Sequence, residues 1–452
     1  MNAPPDRAYI LRLPDELLES ILQNACSFIE GTIYERSYGD MSEARYNTLA
    51  SWCLICRRLY PLVMPFLYAD LLTAYSSPYL QRESVSKLLH RSCRQNPALW
   101  RLCQRLIVHY RGLGAPGSEK QRNPLHYIAN DFTSWFTMAK SFALFGLGHD
   151  ERAWQLLRQG LCSFRSLTEL SLVCELNYDM DLWRVVDTVS DLACSQLQTL
   201  VLRGVSTGGC TERAMSQRKP RTGQVRMLKL RCFMGTPADL EELVKWPKAL
   251  EEFHLEFTFG DNYSDIGAYS AWSLATLQPI LATNKSTLRS IKIRAIDVGG
   301  LVGFDMREFE RLEKLSLSSA TICREYKHWE SEDHSLSTLL GPRLHEFELD
   351  MTLEDQQHCE FLADFGEAEE NWLRALGHLA VKQRCPLREI RIQFHPYAYV
   401  PSSFHDRYPW DRMDDLDREL QPHGIRVRYT PPSLSREQFE ESTRHHSTGV
   451  SC

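Results

Sequence analysis

No run of 18 or more apolar residues occurs in the chain, so it offers nothing of the length a helix needs to cross a bilayer core. The opening stretch, MNAPPDRAYILRLPDE, has neither the basic start nor the apolar centre of a secretory signal. The expectation is a protein that stays inside the cell, in cytoplasm, nucleus or both. An excess of positive charge is also missing. With 52 Lys and Arg against 58 Asp and Glu, a net charge of −6 supplies no basic field, and neither nucleic acid nor membrane is expected as a partner. Cysteines at framework spacing are absent too. The 14 cysteines are scattered singly through apolar segments, as at Cys103, Cys162, Cys174, Cys194 and Cys232, which suits reduced, buried thiols better than disulfides.

Local signatures of chemistry are equally scarce. No G-x-S-x-G and no His-Glu-x-x-His occurs, although dispersed catalytic groups would leave no such mark. Cys53-Leu54-Ile55-Cys56 has redox-motif spacing but lies inside a helical stripe, with its cysteines at packing positions and no strand expected before it. Gly299-Gly300-Leu301-Val302-Gly303 lacks both the G-x-G-x-x-G order and the Lys-Ser/Thr ending of a phosphate loop. His358-Cys359 and His445-His446 have no further ligands at zinc spacing. No cofactor and no metal are therefore expected, and the chain reads as non-catalytic.

What is present is a composition, 43% hydrophobic and 24% charged, that can build a large core, and within it two patterns. The first is N-terminal. Apolar residues at 13, 17, 18, 21, 22 and 25 form one helical stripe, with Pro14 in the first turn, where proline is tolerated. A second stripe runs through Leu49, Trp52, Cys53, Cys56 and Leu59 and then meets Pro61 and Pro65, which are expected to end it. Three short helices over residues 11–70 follow from this. So small a bundle buries little surface by itself, and an apolar face left over on it calls for a partner.

These residues resemble an F-box, the element by which F-box proteins dock onto the Skp-type adaptor and, through it, the cullin of an SCF ubiquitin ligase. On that resemblance Leu13, Pro14, Leu17, Ile21, Leu54, Cys56 and Leu59 stand at adaptor-facing and helix-packing positions. Residues 29–47 depart from the pattern by lengthening the link between the first two helices, as in F-box proteins of fungal type. An ordinary helical cap on a repeat domain is the competing reading.

The second pattern is a repeat. Eight segments fit L-x-x-L-x-L: Leu167-Leu170-Leu172, Leu197-Leu200-Leu202, Val225-Leu228-Leu230, Leu250-Phe253-Leu255, Leu288-Ile291-Ile293, Leu312-Leu315-Leu317, Leu344-Phe347-Leu349 and Leu387-Ile390-Ile392. Each step between them has room for one strand, one turn and one helix, a unit that buries its apolar face only by stacking on neighbours. Helical spacing at 151–164, 181–192, 238–246, 273–282 and 369–381 supplies the helices, in the order helix then strand. Residues 84–108 read as a starting helix and strand, and 413–429 as the last pair. The body resembles the irregular leucine-rich repeats of F-box proteins, without most of their consensus Asn positions; a globular α/β domain is the alternative.

The expected fold class is thus α/β: a three-helix F-box at 11–70, then a leucine-rich-repeat-like solenoid of strand and helix units at 80–430. It is flanked by an N-terminal tail at 1–10 and a polar, disordered tail at 431–452. Because side chains alternate across a strand, the residues beside the leucines share one face. Arg203, Lys229 and Arg231 would make a basic zone there, Glu252, His254 and Glu256 an acidic one, Lys292, Arg294 and Lys314 a second basic zone, and Glu346, Glu348 and Asp350 a second acidic one, with Arg391 beyond. Such alternation would select a client protein of complementary charge. The aromatic residues Phe132, Trp135, Phe136, Phe142 and Phe145 are either core or an exposed binding patch. The resemblance implies a substrate-recognition adaptor of a ubiquitin ligase; a binding scaffold without ubiquitination is the alternative, and an enzyme hidden in the α/β body a third reading.

Overall fold

Apolar residues spaced by four build the first elements of the computed structural model, which describes residues 13–31, 38–74, 83–110, 126–148, 150–174, 180–192, 195–207, 221–257, 272–294, 300–322, 329, 333–351, 365–395 and 407–447. Contacts divide the chain into two compact units, residues 1–173 with 191–196, and residues 174–190 with 197–452. The division falls after Val173. The expected tail at 1–10 lies outside the described residues.

The first unit opens with α1 (Asp15–Gly31), α2 (Tyr38–Ile55) and α3 (Leu59–Ala69). They close on Leu18, Leu22, Leu49, Leu59 and Val63, with Trp52, Cys53, Phe66 and Leu67 packed around them. Arg58 ties the start of α3 to the start of α1, by an ion pair to Asp15 and a hydrogen bond to the Leu13 carbonyl at 2.6 Å. Two details differ from the sequence reading. Helix α2 starts at Tyr38, inside the stretch read as a lengthened link. Helix α3 runs through both prolines: Pro61 sits in the first turn, whose N–H groups have no helical partner, and Pro65 forfeits one backbone bond in a helix held by packing of Val63, Phe66 and Leu67.

Next come β1 (Asp70–Ala74), α4 (Glu83–Gln95), a 3-10 turn over Pro97–Leu102, β2 (Arg105–His109), α5 (His126–Trp135), β3 (Ser141–Phe145), α6 (Glu151–Ser163) and β4 (Glu169–Val173). The four strands pair in chain order, all parallel. The aromatic segment supplies α5 and β3. Phe132, Phe136, Phe142 and Phe145 are buried, so the core reading holds for them, while the half-buried Trp135 stacks on Trp100 at 5.2 Å. The outer edge of β1, a liability in any open sheet, is met by α2: the Leu72 N–H donates to the Tyr46 hydroxyl at 2.9 Å, and that hydroxyl donates to the Asp70 carbonyl.

The second unit holds β5 (Met180–Asp181), α7 (Leu182–Asp191), β6 (Thr199–Ser206), β7 (Met227–Phe233), α8 (Pro237–Lys245), β8 (Glu252–Glu256), α9 (Leu274–Ala282), β9 (Ser290–Arg294) and β10 (Lys314–Ser318). It continues through α10 (Ser319–Ile322), α11 (Asp333–Leu339), β11 (Glu346–Met351), α12 (Glu367–Gln383), β12 (Glu389–Phe394), α13 (Pro409–Leu420), β13 (Arg426–Tyr429) and α14 (Arg436–Ser447). Strands β6 to β13 neighbour one another in chain order, all parallel, with β5 beside β6. All eight L-x-x-L-x-L segments carry strands, their second and third apolar residues buried.

The first apolar residue of each segment is buried just before its strand, at a turn that recurs. In the second unit the N–H groups of Arg289 and Ser290 both reach the Glu251 carbonyl, those of Glu313 and Lys314 the Arg289 carbonyl, and those of His345 and Glu346 the Glu313 carbonyl. The same forked bond links Arg388 and Glu389 to the His345 carbonyl. Each fork sets the next strand one sheet spacing along. This makes the unit a solenoid-like stack of strand and helix repeats.

The expected disordered tail at 431–452 is corrected in part. Helix α14 forms there with Phe439 buried against Tyr408, ring centroids 5.5 Å apart. Its start is fixed by a reciprocal cap, in which Gln438 accepts from the Ser435 N–H at 2.8 Å and Ser435 Oγ accepts from the Gln438 N–H at 3.3 Å.

Candidate interaction surfaces

Strand register sets the charged side chains of the second unit in rows. Lys229, His254, Lys292, Ser316, Glu348 and Arg391 occupy one row across β7 to β12, and Arg203, Arg231, Glu256, Arg294, Ser318 and Asp350 the next across β6 to β11. All ten residues expected to face a client therefore lie on one face of the strands. Their chemistry differs from the expectation.

A chain of ion pairs runs laterally through them. Glu256 accepts from Arg231 at 3.1 Å and from Arg294 at 3.0 Å; Asp350 faces Arg294 at 3.1 Å and Lys292 at 3.0 Å; Lys292 reaches Glu348 at 2.8 Å, and Ser316 donates to the same carboxylate at 2.8 Å. Glu256, Arg294, Glu348 and Asp350 are buried. The alternating blocks are thus not presented as free charge to a partner; at these positions the alternation neutralises itself. The physical reason is reach. Lys292 and Arg294 on β9 cross over β10 to Glu348 and Asp350 on β11, and β10 offers only Ser316 and Ser318 beneath them.

The titrations follow from that geometry. Burial works against charge on Lys292, but Asp350 and Glu348 outweigh it and raise its ammonium above the ordinary lysine range. Burial would likewise raise Glu348, yet Lys292 and the Ser316 hydroxyl hold its carboxyl below the usual value. Farther along, Arg391 is paired with Glu389 at 2.6 Å and Glu346 at 3.4 Å, and Lys314 with Glu346 at 3.0 Å.

His254 sits among these cations. Burial first, then Lys229 and Lys292, push its imidazole down to about 4 from an ordinary 6.5, so it is neutral in the folded chain at pH 7. The unfolded chain takes up this proton at a higher pH than the folded one. Stability from this group is complete above pH 6.5 and is lost as pH falls towards 4, at a total of about 3 kcal/mol. Urea unfolding at pH 7.5 and pH 5 should show His254→Gln losing less on acidification than the unaltered protein; equal losses would contradict the assignment.

The N-terminal surface keeps the opposite character. Leu17 is 52% exposed, Ile21 44%, Leu54 86% and Ile55 61%, on helices whose other apolar residues form the cluster around Leu18 and Val63. Pro14 is exposed, and Leu13 and Cys56 are partly buried against that cluster. Leu59 is a correction: at 9% exposure it belongs to the core and has no face to offer an adaptor. Ile55 and the exposed Tyr60 were not singled out in the sequence, although they neighbour residues that were. Cys53 packs on the cluster, and burial raises its thiol above the ordinary value, the reverse of what a reactive thiol needs.

No family model matches the chain, and no curated protein matches its sequence. Among solved structures, the leucine-rich repeat-containing protein LegL7 from Legionella pneumophila superposes with a TM-score of 0.43 at 14% identity, over 78% of this chain and 98% of that one. A likeness that distant carries no argument about this chain.

Proposed function

We propose that this chain is the substrate-recognition subunit of an SCF-type ubiquitin ligase. Its N-terminal helices would act as an F-box that holds a Skp-type adaptor and, through it, a cullin, and its strand face would receive a client protein. The observation that carries the reading is the exposure of Leu17, Ile21, Leu54 and Ile55 on a three-helix element whose core is closed without them. Large aliphatic side chains left in water on so small an element are best explained by a partner that covers them. On this reading the chain performs no chemistry itself, binds no cofactor, nucleic acid or membrane, and works in cytoplasm or nucleus.

Leu17→Asp with Leu54→Asp tests it. Because both side chains are exposed, the double variant should fold with a stability change within about 0.5 kcal/mol, while copurification of a Skp-type adaptor is lost. Adaptor binding at undiminished strength would end the F-box reading. A scaffold that joins two proteins without ubiquitination would use the same surfaces. The two readings separate on whether a cullin is recovered and whether bound clients accumulate when the proteasome is inhibited.

A further inference from the structure

Among the described residues, the ion pairs of the strand face take in Arg231, Lys292, Arg294, Lys314 and Arg391, but neither Arg203 nor Lys229. Arg203 and Arg231 stand directly opposite each other in register, and Lys229, which pairs with Val201, lies diagonal to Arg203. Like charges set directly opposite on neighbouring strands cost stability. Only Arg231 has a carboxylate here, Glu256, and it shares that group with Arg294. Arg203 and Lys229 have no acidic partner among the described residues, and both side chains are partly exposed. The field is felt locally, since Lys229 is one of the charges that keep the neighbouring His254 neutral.

We propose that this cluster is a docking site for an acidic, extended segment of a partner protein. The inference rests on the reading of the strand face as the client surface, and it names the chemistry of that client. Two cations without an acidic partner among the described residues, beside a third that is paired, are complementary to carboxylates, on a chain whose net charge is −6. The spacing fits as well. Diagonal neighbours on paired strands lie about 7–8 Å apart, and alternate side chains of an extended peptide about 6.6–6.8 Å apart, so carboxylates at positions i and i+2 can meet Lys229 and Arg203 together. The segment recognised is therefore one of alternating acidic residues.

The test uses the full chain and a fluorescein-labelled peptide of about twelve residues alternating Glu and Ser, followed by anisotropy at low and high salt. Binding should be present at low salt and weakened by salt. Arg203→Glu with Lys229→Glu should reduce it at least about tenfold, and Arg203→Ala with Lys229→Ala by a smaller factor, with circular dichroism unchanged; the alanine pair decides the matter if the charge reversal disturbs folding. Arg428→Glu, an exposed cation on β13 paired to Glu389, should leave binding unaltered. The proposal is overturned if the labelled peptide shows no binding with the unaltered chain at about 100 μM, or if Arg428→Glu costs as much as the double variant. Tighter binding of a single-stranded oligonucleotide of equal charge would overturn it too. Adaptor copurification measured on the same variants keeps the two readings apart, because it depends on the N-terminal helices alone.

Discussion

Asp350→Ala should lower the stability of the second unit by about 3–5 kcal/mol, one of the two largest losses expected from a single change on its strand face. The carboxylate is fully buried and faces two cations, Lys292 at 3.0 Å and Arg294 at 3.1 Å. Truncation removes the counter-charge and leaves the buried Arg294 and the partly buried Lys292 in place, with only Glu348 and Glu256 to share. Breaking a buried pair costs this much because a desolvated charge is left behind, even where the intact pair contributes little net stability. Position along the network grades the effect. Lys314→Ala removes a cation that is 57% exposed in its pair with Glu346 and should cost under about 1 kcal/mol. Urea unfolding of the two variants beside the unaltered protein measures the difference. Equal small losses would mean that water reaches Asp350 and that the network is a surface feature.

Much of this architecture is legible in the sequence, and the misses have identifiable causes. The eight L-x-x-L-x-L segments all became strands because two consecutive signals, period-2 alternation and a buried residue at the turn before it, agree at each. Strand β3 carries the same frame as Ala139-x-x-Phe142-x-Leu144, with Phe142 and Leu144 in register with Leu170 and Leu172 on β4, but an alanine at the turn hides it. Strand β1 has Tyr68 at that point and follows a helix without a break, so no boundary announces it. Helix α14 is announced by Ser435-Arg436-Glu437-Gln438, a capping-box spacing overlooked because Phe439 alone supplies its apolar face. The two faces of the N-terminal helices were separable for Leu17 and Ile21 by helical angle; Leu59 was misplaced because it sits at the start of α3, where periodicity from the preceding segment no longer applies.

The charged face shows a different limit. Alternation along a strand places Lys292, Glu348 and Asp350 on one side, and sequence carries that far. Whether they meet one another or a partner depends on what stands between them on a third strand. That residue comes from a different repeat, at a distance along the chain that no local pattern encodes.

That dependence gives the other large effect. Ser316→Leu should destabilise the second unit by about 3 kcal/mol or more, although it places an aliphatic residue on a strand, where such residues are favoured. Ser316 lies between Lys292 and Glu348 in the same row, and the 2.8 Å bridge between them passes over it. A leucine fills that path and also removes the hydroxyl that donates to Glu348 at 2.8 Å. Ser316→Ala removes only the hydroxyl and should cost about 1 kcal/mol. A double-mutant cycle separates obstruction from ordinary overpacking. With Lys292→Met and Glu348→Leu already present, no ion pair remains to be blocked, and adding Ser316→Leu should cost under about 1 kcal/mol or even be favourable. If the leucine costs as much in that background as in the unaltered chain, its effect is steric crowding on β10. The small residues of that strand would then have no special part in letting the charges of β9 reach β11.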